Sequence, residues 1–131
     1  MIVVDASVLA NALADDGDDG ATARSRLAAG GLAAPDLIDV ETVAVLRKRW
    51  ISGDLTDQRF SDAIDDLEDL DLARYPTLPL MRRAFELRSN VTAYDAVYVA
   101  LAEQLDCTLL TADRRLAAAP TISCPVEIVH P

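Results

Sequence analysis

The chain has 131 residues, 51% hydrophobic and 26% charged, with 22 acidic against 12 basic side chains and a formal net charge of -10. This composition excludes a disordered polymer, and no apolar stretch approaches the ~20 residues of a membrane span, so residues 1–131 are expected to form one domain around one hydrophobic core. The acidity excludes a plain nucleic-acid-binding module, whose affinity comes mostly from phosphate contacts, but it is compatible with an enzyme whose acids hold metal.

In chain order, residues 2–5 read as a short buried strand, β-branched and continuous. Ser7 to Ala14 form a helix, Asp15 to Gly20 a loop by composition, and Ala21 to Ala29 a helix closed by Gly30-Gly31. Leu32-Ala33-Ala34 is a weak strand before Pro35. Asp36 is placed to cap a long helix reaching Ile51, with Glu41 in its second turn. Thr56 to Leu70 is an amphipathic helix, with Phe60, Ala63, Ile64 and Leu67 as its apolar stripe. Leu72 to Tyr75 is a strand, Leu80 to Arg88 a helix, and Ala93 to Leu105 a helix apolar nearly all round and therefore expected to be buried. Thr108 to Thr111 is a strand, Arg114 to Ala119 a short helix, and Val126 to Val129 a last strand. Alternating strands and helices with short links imply a three-layer α/β/α fold with a mainly parallel central sheet. Cys107 and Cys124 form no C-x-x-C pair, and the N-terminus carries no signal-peptide pattern, so the protein is expected to be reduced, soluble and cytoplasmic, without a membrane partner.

Four acids stand where their neighbours give them no support. Asp5 follows the apolar run from Met1 to Val4, and Asp113 ends the run from Cys107 to Ala112. Glu41 and Asp95 have only apolar residues or threonine and tyrosine at helical spacing, with no Lys or Arg one turn away. A carboxylate on an apolar face costs several kcal/mol in order of magnitude unless something compensates it. In open parallel sheets the site lies beyond the carboxyl ends of the strands, which is where all four should emerge. Three of them have a plainer structural explanation: Asp5 and Asp113 as helix N-caps, Asp95 in the capping box Thr92-Ala93-Tyr94-Asp95. Glu41 has none. All-oxygen ligation suits Mg²⁺ or Mn²⁺ rather than zinc, and the lone His130 is a poor ligand candidate at the penultimate position. The chemistry such a site supports is hydrolysis of a phosphate ester by metal-activated water. Arg114 and Arg115, beside Asp113, are the best phosphate-binding candidates, whereas Tyr94 and Tyr98 at i,i+4 read as core packing.

The segments Val3-Val4-Asp5-Ala6-Ser7-Val8-Leu9, Asp39-Val40-Glu41-Thr42, Thr92 to Ala102 around Tyr94-Asp95-Ala96, and Leu110-Thr111-Ala112-Asp113-Arg114-Arg115-Leu116 resemble the signature segments of PIN-domain ribonucleases. In size and segment order the chain looks like the VapC toxins of type II VapBC toxin–antitoxin modules, from Ile2 to about Val129. The resemblance implies a PIN-like fold and a Mg²⁺- or Mn²⁺-dependent endoribonuclease toxin. It places Asp5, Glu41, Asp95 and Asp113 at the family's metal-site acids, with Ser7 and Thr111 as supporting hydroxyls. It also implies RNA as substrate, a VapB-like antitoxin as partner, with helices 36–51 and 56–70 contributing to its groove, and a homodimer. Some relatives carry a further acid after the last one; Arg114 and Arg115 stand there instead, which leaves a second metal site open. Two other classes compete: a metal-dependent phosphohydrolase acting on a small ester, and a non-enzymatic partner-binding domain. Asp5-Ala6-Ser7 lacks the second Asp that a phosphohydrolase nucleophile motif would carry.

Overall fold

A computed structural model describes residues 1–129; the expectation for His130 lies outside the described residues. Among the described residues five strands form one sheet: β1 (Ile2–Val4), β2 (Leu32–Pro35), β3 (Leu72–Tyr75), β4 (Thr108–Thr111) and β5 (Val126–Ile128). They lie in the order β3-β2-β1-β4-β5, and every pair is parallel. The connecting helices are α1 (Ala6–Ala14), α2 (Asp18–Leu27), α3 (Ile38–Ile51), α4 (Asp57–Asp69), α5 (Met81–Glu86), α6 (Ala93–Leu105) and α7 (Arg114–Ala118). From β1 the chain winds outward through β2 to β3, then returns to β4 on the other side of β1. Right-handed crossovers therefore put α1 to α4 on one face and α5 to α7 on the other. The order reverses between β1 and β4, and the crevice at their carboxyl ends is the switch point at which such sheets bind ligands.

Burial explains the strand sequences. Val3, Val4, Ala33, Ala34, Leu109 and Leu110 are covered on both sides, which is why the runs are continuous rather than alternating. Helix α6 is buried from Ala96 to Ala102, packs on β1, β2 and β4, and is the element that fills the second layer. Its all-round apolar sequence predicted this.

Local boundaries differ from the sequence expectation in four places. The loop assigned to Asp15–Gly20 is already helical from Asp18. Asp15 folds back on it: its Oδ1 accepts from Gly17 N at 2.8 Å and Gly20 N at 3.2 Å. A Cβ at Gly20 would lie 1.8 Å from the Asp15 carbonyl oxygen, so only glycine permits this approach. Secondly, Asp36 does not cap α3. Strand β2 continues through Pro35, Asp36 N donates to Tyr75 O at 2.7 Å, and the Asp36 carboxylate accepts from Thr77 Oγ1 at 2.5 Å. The proline is tolerated because its missing N–H points away from β3, past the end of the β1 pairing at Ala33. Helix α3 consequently starts at Ile38, and Glu41 sits in its first turn, nearer the sheet edge than expected. Thirdly, the helix expected over Leu80–Arg88 is a 3₁₀ turn (Leu78–Leu80, containing Pro79) followed by the short α5. Lastly, α2 stops at Leu27, before the glycines. The end of α3 is a Schellman closure, with Asp54 N donating to Arg49 O at 2.9 Å and Gly53 at φ 86.

One ion pair ties the second layer together. Arg83 on α5 donates to both oxygens of Glu103 on α6, at 2.8 and 3.0 Å, and to Thr121 O at 2.8 Å, while Ser123 N donates to Glu103 Oε2 at 2.8 Å. These bonds hold the Glu103 carboxyl below its ordinary 4.5. A depressed folded-state value means the stabilisation is complete above that ordinary value and is lost as pH falls below it. Glu103→Gln should therefore cost about 1–3 kcal/mol near pH 7 and leave a protein whose melting temperature depends less on acid than that of the wild type. Thermal melts across an acid-to-neutral pH series check both statements.

Candidate active site

Asp5 is the first residue beyond β1 and caps α1: its Oδ1 accepts from Val8 N at 3.1 Å. The same oxygen accepts from Ser7 Oγ at 2.6 Å, and Oδ2 accepts from Thr111 Oγ1 at 2.5 Å. Asp5 N donates to Leu110 O at 3.1 Å, so the backbones of β1 and β4 are joined up to the residue that carries the acid. Only 8% of Asp5 is exposed, and burial pushes its carboxyl up against the opposing pull of those hydrogen bonds. Thr111 has a second task, accepting from Asp113 N at 3.0 Å through the same hydroxyl. The two sequence-predicted hydroxyls thus both lie against Asp5, and one bridges two of the acids.

Asp95 stands in the first turn of α6, where Thr92 Oγ1 accepts from its backbone N at 3.2 Å. Its carboxyl is raised first by burial and then by the charges of Asp113 and Asp5. Glu41 is raised by burial and by the charges of Asp95 and Asp5, against a hydrogen bond from Tyr98. That bond is a contact that the sequence reading did not anticipate. Tyr98 is 2% exposed, as core packing requires, yet its hydroxyl donates to Glu41 Oε1 at 2.7 Å and so links α6 to α3. The available signal was that a buried tyrosine hydroxyl needs a partner. Tyr94, paired with it in the core-packing expectation, is instead 66% exposed.

Asp113 differs from the other three. It caps α7 through Arg115 N at 2.9 Å, and the Arg115 guanidinium donates to both its oxygens at 3.1 and 3.0 Å. The guanidinium holds its carboxyl below the ordinary value. Among the described residues, Asp5, Glu41 and Asp95 have no ion-pair partner at all.

Asp95 and Asp113 line one pocket of about 120 Å³ together with Asn90, Thr92 and Arg115. Glu41 opens onto a neighbouring groove with Tyr94. Among the described residues no group of three or more His, Cys, Asp or Glu side chains is drawn close enough to hold an ion. The acids share an edge and an electrostatic field rather than a closed cage. Their chemistry still fits a hard divalent cation: oxygen donors only, three of them uncompensated, and each of Glu41 and Asp95 raised by the charge of the others.

Residues 2–121 match the PIN domain. The chain belongs to the PIN-domain family. It is 42% identical to Ribonuclease VapC1 of Mycobacterium tuberculosis over 129 residues, covering 98% of this chain and 97% of that one. It is equally 42% identical to Ribonuclease VapC9 of the same organism, covering 98% of each chain. Among solved structures, the fold resembles Mycobacterium tuberculosis VapC20, a Sarcin-Ricin loop cleaving toxin, with a TM-score of 0.70 at 16% identity, covering 95% of this chain and 100% of that one. It also resembles VapBC2 of Rickettsia felis, with a TM-score of 0.68 at 15% identity, covering 99% of this chain and 100% of that one. At those identities the likeness is one of fold: the all-parallel, three-layer α/β/α arrangement of this PIN domain. Among the described residues no helix is long and apolar enough to cross a membrane.

Proposed function

We propose that this PIN domain is an endoribonuclease of the VapC type, the toxin of a toxin–antitoxin pair, and that it depends on Mg²⁺ or Mn²⁺. The observation that supports this reading is the presence of three acids without an ion-pair partner among the described residues, Glu41 and Asp95 each raised by the charge of its neighbours, in a chain 42% identical to named VapC ribonucleases. Asp5, Glu41 and Asp95 would hold the cation, with Asp113 beside them. Bound there, a divalent cation would supply the positive charge that activates water and stabilises the leaving oxygen of a phosphodiester.

The chain's own residues prepare that chemistry. The hydroxyls of Ser7 and Thr111 and the N–H of Val8 fix the orientation of Asp5 and oppose the upward push of burial on its carboxyl. Tyr98 fixes Glu41 in the same way. Arg115 lines the pocket with its side chain 90% exposed and would have to share its pairing with Asp113 to meet a phosphate, and Arg114 precedes it at the start of α7. A VapB-like antitoxin would seat on the α3–α4 face, where a groove of about 420 Å³ is lined by Arg47, Trp50, Phe60 and Ile64. A homodimer accords with the family resemblance.

Two measurements on one preparation test the reading. Single-stranded RNA should be cut with Mg²⁺ or Mn²⁺ and spared in EDTA. Either ion should also raise the melting temperature, because a ligand bound only by the native state stabilises it by about 2.7 kcal/mol at a hundredfold excess over its dissociation constant. No cleavage and no shift with either ion at concentrations well above millimolar would rule out a metal-dependent ribonuclease.

A further inference from the structure

Most of the cations in this acidic chain are engaged. Arg26, Arg59, Arg74, Arg83 and Arg115 are paired with carboxylates, while Arg24 and Arg49 donate to side-chain or carbonyl oxygens. Arg82 and Arg88 lie over the Phe85 ring. Among the described residues Arg47 and Lys48, adjacent on α3, have no such engagement, and they line a groove of about 700 Å³ with Glu41, Tyr94 and an otherwise apolar wall that includes Val40 and Ile51. Among the described residues Glu41 is the only acid in that lining. Lys48 lies two helical turns beyond Glu41, about 10 Å along the axis of α3, so the groove runs from a proposed metal-binding acid to a pair of unneutralised cations. Tyr94, on the first turn of α6 immediately before Asp95, also lines the groove and is 66% exposed.

We infer that this groove binds a nucleotide of single-stranded RNA flanking the bond to be cut, with Tyr94 stacking on the base and Arg47 and Lys48 contacting backbone phosphate. The inference rests on the ribonuclease reading above and adds the residues that position the strand. An exposed aromatic beside free cations is the combination that single-strand binding uses, since every base offers a π-face and every linkage a negative charge. Continuity with Glu41 places the stacked base next to the reacting phosphate.

The test is fluorescence anisotropy with a fluorescein-labelled single-stranded RNA in EDTA, where binding is read without cleavage. Tyr94→Ala should weaken binding roughly tenfold, and Tyr94→Phe, which keeps the π-face, should restore it. Replacing Arg47 and Lys48 together by alanine should flatten the dependence of log affinity on log salt by about 1.4, the release expected for two phosphate contacts on a single strand. In cleavage assays the Tyr94→Ala loss should lie in KM rather than kcat. If the wild type cuts RNA while Tyr94→Ala binds it as tightly, the nucleotide site is overturned and the ribonuclease reading stands. A wild type that neither binds nor cuts RNA overturns both. If the variants instead convert a dimer to a monomer in sedimentation with RNA affinity unchanged, the groove is a contact between copies and the inference is wrong.

Discussion

Asp95→Asn is expected to abolish RNA cleavage, by at least ~10²-fold, while the protein stays as helical and at least as heat-stable as the wild type. The loss follows from removing an anionic oxygen at the point where positive charge must be held. Retention of the fold follows from local geometry. Thr92 caps the turn through the backbone N–H of residue 95, which the substitution leaves in place. Only a charge–dipole contribution of ~0.3–1 kcal/mol at the helix N-terminus is given up. Against that, the carboxylate is raised by burial and by Asp113 and Asp5, so its charge destabilises the empty site and its removal relieves repulsion. Expression makes the contrast visible: the wild type should arrest growth when produced without an antitoxin, and the variant should not. A variant that cleaves at the wild-type rate with matching circular dichroism refutes the role. Loss of activity together with loss of helix would leave Asp95 a capping residue only.

Glu41→Gln and Tyr98→Phe separate charge from position at the second uncompensated acid. The amide keeps an oxygen that accepts the Tyr98 hydrogen bond, so Glu41→Gln should remain folded, melt no lower than the wild type and lose cleavage by ~10²-fold or more. Tyr98→Phe keeps the carboxylate charge and the packed ring but frees the carboxylate to turn. Cleavage should fall by a smaller factor, ~10-fold, and stability by about 1 kcal/mol. Rates and melting temperatures measured on the same preparations distinguish this from a merely structural acid. Were Glu41 only a strained buried group, Glu41→Gln would stay fully active and melt higher.

Helix α6 and strand β4 were legible in the sequence to within their end residues, because burial on all sides demands continuous apolar runs and nothing else competes for them. The start of α3 was not. Asp36 has the composition of a cap, but the pairing of Pro35 with Tyr75 draws it into the sheet edge, and that contact joins residues forty positions apart. The onset of α2 was hidden similarly, since a run of Asp and Gly reads as loop until Asp15 is seen to accept from Gly17 and Gly20.

The same division runs through the candidate site. Sequence alone singled out Asp5, Glu41, Asp95 and Asp113 as candidates, because a charge surrounded by apolar neighbours is anomalous wherever it lies, and the anomaly is local. It also identified Ser7 and Thr111 through resemblance. What each acid faces was decided only by the tertiary structure. Asp113 is matched by Arg115 two residues away, yet whether that guanidinium turns toward the acid or toward solvent is a matter of rotamer and helix start. Tyr98 and Glu41 meet across two helices, and Tyr94 and Tyr98 take opposite roles on one helix although their spacing suggests a shared face. Hydrogen-bond partners far apart in the chain depend on how layers stack, and a one-dimensional pattern of polarity carries the cost of burying a charge but not the direction from which it is compensated.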